Sequence, residues 1–220
     1  MAVMQELKRI VQKLGGIAGP RREPVRRLAP PSRPELLRLR DDGRTPNNPR
    51  LPLVIYRHAV RFDKARDRAA VLEQIFARHG WRESWRNGIY EFLHFHTATH
   101  EVLGIAHGRV TIEFGGDSGR AVALRAGDVA VLPAGTGHRR LRASRDLLVV
   151  GAYPAGGRYD EPRPEEVNAA QARRSIANVP RPRQDPIYGA HGPLNTLWKP
   201  SLSPRQRQVV RARRARAAQA

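Results

Sequence analysis

The stretch GIYEFLHFHTATHEVLGIAHG, residues 88–108, decides how this chain is read. YEFLHFH (90–96) and HEVLGIAHG (100–108) carry the apolar, aromatic and β-branched density of strands, with room for a turn between them. Side chains alternate between the faces of a strand, so His94 and His96 send both imidazoles one way and Phe95 the other. Glu101 opens the second strand and Gly108 ends it. Two histidines at this spacing are equally a pair of ligands or a pair of hydrogen-bonded core side chains, and the pair alone does not choose.

Working outward, RVTIEFGG (109–116), GRAVALR (119–125), DVAVLP (128–133), GHRRLRA (137–143) and DLLVVGAYP (146–154) continue the series of short strands. Turn signals fall at His107-Gly108, Gly115-Gly116-Asp117, Ala126-Gly127-Asp128, Ala134-Gly135 and Ser144-Arg145. That rhythm, roughly every 8–12 residues, belongs to an all-β sandwich or barrel and not to alternating βαβ units. Upstream, LPLVIYRHAV (51–60) reads as a first strand, and 51–59 as a barrel edge able to pair between subunits. A C2 homodimer is the commonest outcome of such pairing. DKARDRAAVLEQIFARHG (63–80) places Val71, Leu72, Ile75 and Phe76 on one helical face, with Asp63 as cap and Gly80 as stop. RPEEVNAAQARRSIANVP (163–180) reads as a short helix with Pro164 near its first turn and Pro180 past its end. Phosphate-binding glycine loops and internal repeats are absent from the sequence.

Cysteine is absent, which excludes disulfides, thiolate-bound zinc, iron–sulfur clusters and thiol catalysis. A metal site must then use His and carboxylate, and five of the eight histidines fall between 94 and 138. His138 follows PAGTG on a distant strand. If the strands line one barrel, His94, His96 and His138 converge with Glu101 on one point. That donor set suits one divalent transition metal (Fe, Mn, Ni, Co or Zn), and an octahedral ion would keep two positions open.

These residues sit in a wider pattern that resembles the cupins. Gly88, His94, His96, Glu101 and Gly108 match the family's first motif. Gly127, Pro133, Gly135 and His138 match the second, whose final Asn is Arg142 here. GRTPNNPRLPLVIYRHAV, WRNGIY, VVGAYP and DPIYGAHGPLNTLW are similar to the small single-domain YjlB-like cupins, a likeness running from about Asp41 to Lys199. The resemblance implies an all-β fold, a double-stranded β-helix or jelly-roll barrel with a few flanking helices. It implies a metal at the barrel mouth held by His94, His96, Glu101 and His138, with Glu101 also able to act as base. His100 is the rival ligand beside Glu101. Alternation keeps the two from facing inward together, and the motif favours Glu101. Cupins use such a site for oxidation, decarboxylation, isomerisation or plain ligand binding. The expectation is therefore a mononuclear-metal enzyme acting on a small oxygen-rich molecule, or a non-catalytic metal- or small-molecule-binding cupin.

The net charge of +20 is concentrated at the ends: residues 1–50 carry 12 basic against 5 acidic side chains, and 161–220 carry 12 against 4. The resemblance implies a single cupin domain (41–199), and the charge partition matches it, leaving a basic, Pro/Arg-rich N-terminal extension (1–40), disordered or a frayed helix, and a basic tail (200–220). The tails could neutralise phosphates, which leaves nucleic acid as a remote partner, but the C-terminal tail lacks aromatic residues to stack on bases. Residues 1–16 form a basic amphipathic pattern without a signal's apolar core, and no stretch approaches the ~20 apolar residues of a membrane span. The expected compartment is the cytoplasm.

Overall fold

The computed structural model describes residues 33–62 and 65–199. Nine strands form two antiparallel sheets. They are β1 (Glu35–Leu37), β2 (Leu53–Tyr56), β3 (Trp81–Asn87), β4 (Glu101–His107), β5 (Arg109–Phe114), β6 (Arg120–Arg125), β7 (Val129–Leu132), β8 (His138–Ala143) and β9 (Leu148–Pro154). The larger sheet has the order β1-β2-β7-β4-β9-β3 and the smaller β6-β5-β8. The expected jelly roll is what the chain builds, and each turn glycine of the sequence pattern marks a passage between strands.

The central strands β2, β7, β4 and β9 of the larger sheet are buried on both faces, and their alternation divides two cores. Leu53, Ile55, Leu103, Ile105, Ala130, Leu132 and Val149 point into the barrel, where they meet Val110, Ile112, Phe114 and Leu124 of the smaller sheet. Val54, Tyr56, Val102, Ala106, Val129, Val131, Val150 and Ala152 point outward beneath helix α1 (Arg68–Arg78) and the C-terminal segment. Burying one such aliphatic side chain stabilises by about 1.5–3 kcal/mol before chain entropy is counted. The helix lies so close that a Cβ on Gly104 would stand 2.9 Å from Leu72 Cδ2 and 3.0 Å from Phe76 Cζ. An alanine there would push the helix off the sheet.

Several expectations need correction. The helix cap is Asp67, whose side chain accepts from Ala70 N at 3.0 Å; Asp63 lies outside the described residues. Strand 51–59 is no edge, because β1 pairs outside β2. β1 itself falls in the stretch assigned to the N-terminal extension, so the sheet begins before residue 41. Residues 90–96 form no regular strand and join β8 through the isolated bridge His94↔His138 and the bond from Arg140 N to Tyr90 O at 2.7 Å. Pro164 opens a 3-10 turn (Pro164–Glu166), and helix α2 (Ala169–Asn178) is capped instead by Asn168. Helix α3 (Pro193–Leu197) and the edge strand β3 carry no signal strong enough to have been read. The amphipathic N-terminus and the basic C-terminal tail lie outside the described residues.

Among the described residues, no helix is long and apolar enough to cross a membrane.

Candidate metal centre

His94 and His138 are hydrogen-bonded neighbours through their backbones, His138 N donating to His94 O at 2.9 Å and His94 N to His138 O at 3.3 Å. Period-2 geometry then works as expected despite the irregular strand. The His94 and His96 rings lie 5.9 Å apart, while Phe95 turns away to pack on Ala134, Ala172 and Ile176. The loop before β8 is fixed from both sides. Gly135 N donates to His96 O at 2.7 Å. Asn47 accepts from Gly137 N at 3.2 Å and donates to Arg40 O at 2.8 Å and Gly115 O at 3.0 Å. Gly135 has φ +89° and its absent Cβ would meet the Asn47 backbone at 3.1 Å, so this close approach requires glycine.

The three rings come together at the end of the barrel interior. His94, His96 and His138 are buried, and each brings one ligand atom within 4.8 Å of the other two. Glu101 is 2 % exposed, and its Oε2 lies 3.2 Å from His96 Nε2 and 3.4 Å from His138 Nε2. The three histidines expected at the site form one cluster, and Glu101 borders it on the side of His96 and His138. His100 is not among them. It points away, packs at 4.8 Å against the tilted ring of Trp198 and accepts from Ala134 N through Nδ1 at 2.9 Å. His58, His79, His107 and His191 also lie outside the cluster, and Arg142 is exposed on β8.

The hydrogen bonds determine which ring nitrogens are available. Nδ1 of His94 faces Phe92 O at 3.2 Å, Nδ1 of His138 faces Thr136 O at 3.1 Å, and Nδ1 of His96 faces Asp160 O. A carbonyl only accepts, so all three Nδ1 atoms carry the proton and the neutral rings leave Nε2 bare. This is the orientation in which a metal-binding imidazole is held by a backbone partner. Three lone pairs and a carboxylate facing one another without a cation repel.

The ionisation of the group reflects that arrangement. Burial, reinforced by His138 and His96, holds His94 neutral and its pKa down to about 2. Burial also opposes charge on His96, but the Glu101 carboxylate outweighs it and raises the pKa above the ordinary value. For Glu101 burial pushes upward, and His96 and His138 overcome it, keeping the carboxyl well below the usual range. The Glu101 carboxylate thus favours positive charge among these rings, and a metal ion bound there would compete with protons for the ring nitrogens. The donor set of three imidazoles and one carboxylate fits a divalent transition ion.

Other elements complete the surroundings. Asp160 takes Thr97 N at 2.9 Å, Ala98 N at 3.2 Å and the Thr97 hydroxyl at 2.5 Å, so it braces the turn between the two halves of the cluster. Tyr153 and Tyr159 stand 5.7 and 5.5 Å from the His96 ring. Tyr90 stacks on Phe92 at 4.5 Å, and both rings contact His94. The Arg163 guanidinium lies over Phe92 at 4.1 Å. Asp160, Tyr153 and Arg163 come from distant segments, and no local spacing marks them.

A jelly roll of two antiparallel sheets, with a His-x-His pair, a carboxylate and a third histidine gathered at the end of its barrel, is a cupin. The chain belongs to the YjlB family: it is 39 % identical over 158 residues to the uncharacterized protein YjlB of Bacillus subtilis, covering 72 % of this chain and 92 % of that protein. No family model matches the chain. Solved structures with partial similarity include a DUF861-family protein from Thermotoga maritima (21 % identity, 32 % of this chain and 75 % of that one, TM-score 0.26). Two others are acireductone dioxygenase from Bacillus anthracis with a cadmium ion in its active centre (19 %, 40 % and 62 %, 0.30) and a variant of oxalate decarboxylase from Bacillus subtilis (19 %, 51 % and 27 %, 0.33). At such scores nothing about this chain's chemistry rests on them.

Proposed function

We propose that this chain is a metal-binding cupin in which His94, His96, Glu101 and His138 hold one divalent transition metal (Fe, Mn, Ni, Co or Zn), and that it acts on a small oxygen-rich molecule by oxidation or isomerisation. The observation that supports this reading is the shared tautomer. Three Nδ1 protons are anchored on backbone carbonyls, which leaves three Nε2 lone pairs beside a carboxylate. When bound, such an ion supplies a Lewis acid that polarises a carbonyl or enol oxygen. The chain's own side chains do the rest. Tyr90 and Phe92 pack on His94 and Tyr159 on His96, and the Arg163 guanidinium over Phe92 supplies a positive charge suited to an oxygen-rich anion. Glu101 is the carboxylate that could accept a proton from a bound molecule.

The burial of all four side chains supports a second reading, in which the barrel binds its metal without turnover. Elemental analysis of wild type beside His94→Ala, both purified without chelator or histidine tag and checked for folding by circular dichroism, tests the part common to both. About one equivalent of metal in wild type and none in the variant is expected. A folded wild type that carries no metal and takes up none on addition would refute both. Oxygen-consumption and isomerase screens on the loaded protein then separate turnover from storage.

A further inference from the structure

Tyr153 is a buried tyrosine on the barrel's inner face that the proposed metal site does not use. β4 and β9 pair with Val102 opposite Ala152 and Leu103 opposite Gly151. One step further along the same register sets Glu101 opposite Tyr153, and directly opposed side chains have Cβ atoms about 4.5–5.5 Å apart on one face. The Tyr153 ring also stands 5.7 Å from the His96 ring, whose Nε2 lies 3.2 Å from Glu101 Oε2, so the phenol borders the same cluster as the carboxylate.

What the phenol can do is set by its other neighbour. Trp85 Nε1 donates to the Tyr153 hydroxyl at 2.9 Å. Indole N–H is only a donor, so the hydroxyl oxygen is used as acceptor there and its own proton is free to be donated elsewhere. Trp85 is held in that pose by the strand beneath it. It pairs with Gly151 in the β3–β9 register, and a Cβ on Gly151 would fall 2.1 to 2.4 Å from three atoms of the indole ring. The bulge in β3 between Arg82 and Trp85 includes Glu83 at φ +52°. It shifts the strand so that the indole crosses the glycine.

We propose that Trp85 and Tyr153 form a donor chain, indole N–H to phenol oxygen and phenol O–H to Glu101, that holds the Glu101 carboxylate in the pose it needs toward the three imidazoles. Tyr153 is a positioning residue, and the inference rests on the metal-site reading above. A carboxylate steered this way keeps one oxygen on the histidine side while the other is occupied by the phenol. Partners of this kind, one layer behind the ligands, commonly contribute about 10–100-fold in metal affinity.

The test is a cobalt(II) titration of the full-length protein, freed of metal by dialysis, in wild type, Tyr153→Phe, Trp85→Phe and the double variant. Affinity is read by chelator competition and ligand geometry by the visible absorption of bound cobalt. Tyr153→Phe is expected to fold, to bind cobalt roughly 10–100-fold more weakly and to show an altered spectrum. Trp85→Phe should move both readouts the same way by less, and the double variant should match Tyr153→Phe, because Trp85 acts through Tyr153. Wild-type binding with an unchanged affinity and spectrum in Tyr153→Phe would overturn the inference and leave the metal site standing. So would weakening by Trp85→Phe that adds to that of Tyr153→Phe. Failure of wild type to bind cobalt or any other of the proposed metals would overturn both. Should Tyr153→Phe fail to fold, Trp85→Phe alone decides by the same two readouts, an unchanged affinity and spectrum overturning the inference.

Discussion

Two groups of buried acid and base side chains stand on opposite faces of the larger sheet, and they are built on opposite principles. On the outer face the Asp185 carboxylate, fully buried, accepts from Tyr56 Oη at 2.5 Å, Ile187 N at 2.8 Å, Tyr188 N at 3.0 Å and Leu194 N at 3.1 Å. Every acceptor direction is filled from within the chain, and the product is a pinned C-terminal segment. Trp81 and Trp198 reinforce it by donating to Gln184 O at 3.0 Å and Pro52 O at 2.9 Å. On the inner face Glu101 Oε2 lies 3.2 Å from His96 Nε2 and 3.4 Å from His138 Nε2, and those nitrogens are themselves acceptors once neutral. Burial is the same in both places. What distinguishes a structural polar group from a site is whether its hydrogen bonds close without a further cation.

The sharpest way to break this contrast is to delete one member from each group. Asp185→Ala would leave four donors with no acceptor in the core. Its expected loss is on the order of 3–5 kcal/mol by urea denaturation, with unchanged metal uptake per folded molecule. His94→Ala in the metal-free protein removes an imidazole that packs on Tyr90 and Phe92 and makes one side-chain hydrogen bond, to Phe92 O, against the four that Asp185 accepts. Its expected change in stability is within about 1 kcal/mol, although metal binding is lost. Equal destabilisation by the two variants would erase the distinction.

A residue lying between the two cases sharpens it. Asn47 is structural by its bonds yet sets the loop that carries His138. Asn47→Ala should lose roughly 2 kcal/mol and also weaken metal binding, so stability and affinity fall together where Asp185→Ala separates them. Asn47 sits at φ +41°, which adds backbone strain to the alanine variant.

The smallest expected effect is at the cap of α1. Burial pushes the Asp67 carboxyl upward, but the Ala70 N–H and Arg86 outweigh it and hold its pKa below the ordinary value. A depressed carboxyl contributes stability that is present above its unfolded pKa, near 3.8, and is lost as pH falls through the folded value. Asp67→Ala should therefore lose about 1 kcal/mol at neutral pH and converge toward wild type in acid, with metal affinity unaffected.

The fold was legible because the features that specify it are local. Period-2 runs, glycine and proline at the turns, and the His-x-His pair each act over a few residues. Alternation says that Glu101 and His100 cannot share a face, the resemblance to the cupin motif chooses Glu101, and the structure turns His100 toward Trp198. β3 was missed because WRESWRN is an edge strand. Only Trp81 is buried, and its bulge breaks the alternation. β1 was missed because Glu35–Leu37 is short and lies in an arginine- and proline-rich stretch. Asp160, Tyr153 and Trp85 reach the site through pairing between distant strands and segments, a property of register that no spacing within one strand records.

The most direct measurement of the central claim is the long-range nitrogen–proton spectrum of the histidine side chains in nitrogen-15-labelled, metal-free protein, titrated with zinc. The account predicts that three of the eight imidazoles, those of His94, His96 and His138, respond together and saturate at one equivalent. Each should do so at Nε2 with Nδ1 still protonated, while His100 and the other four do not move. A titration that leaves these three unchanged, or in which His100 responds in their place, would contradict it.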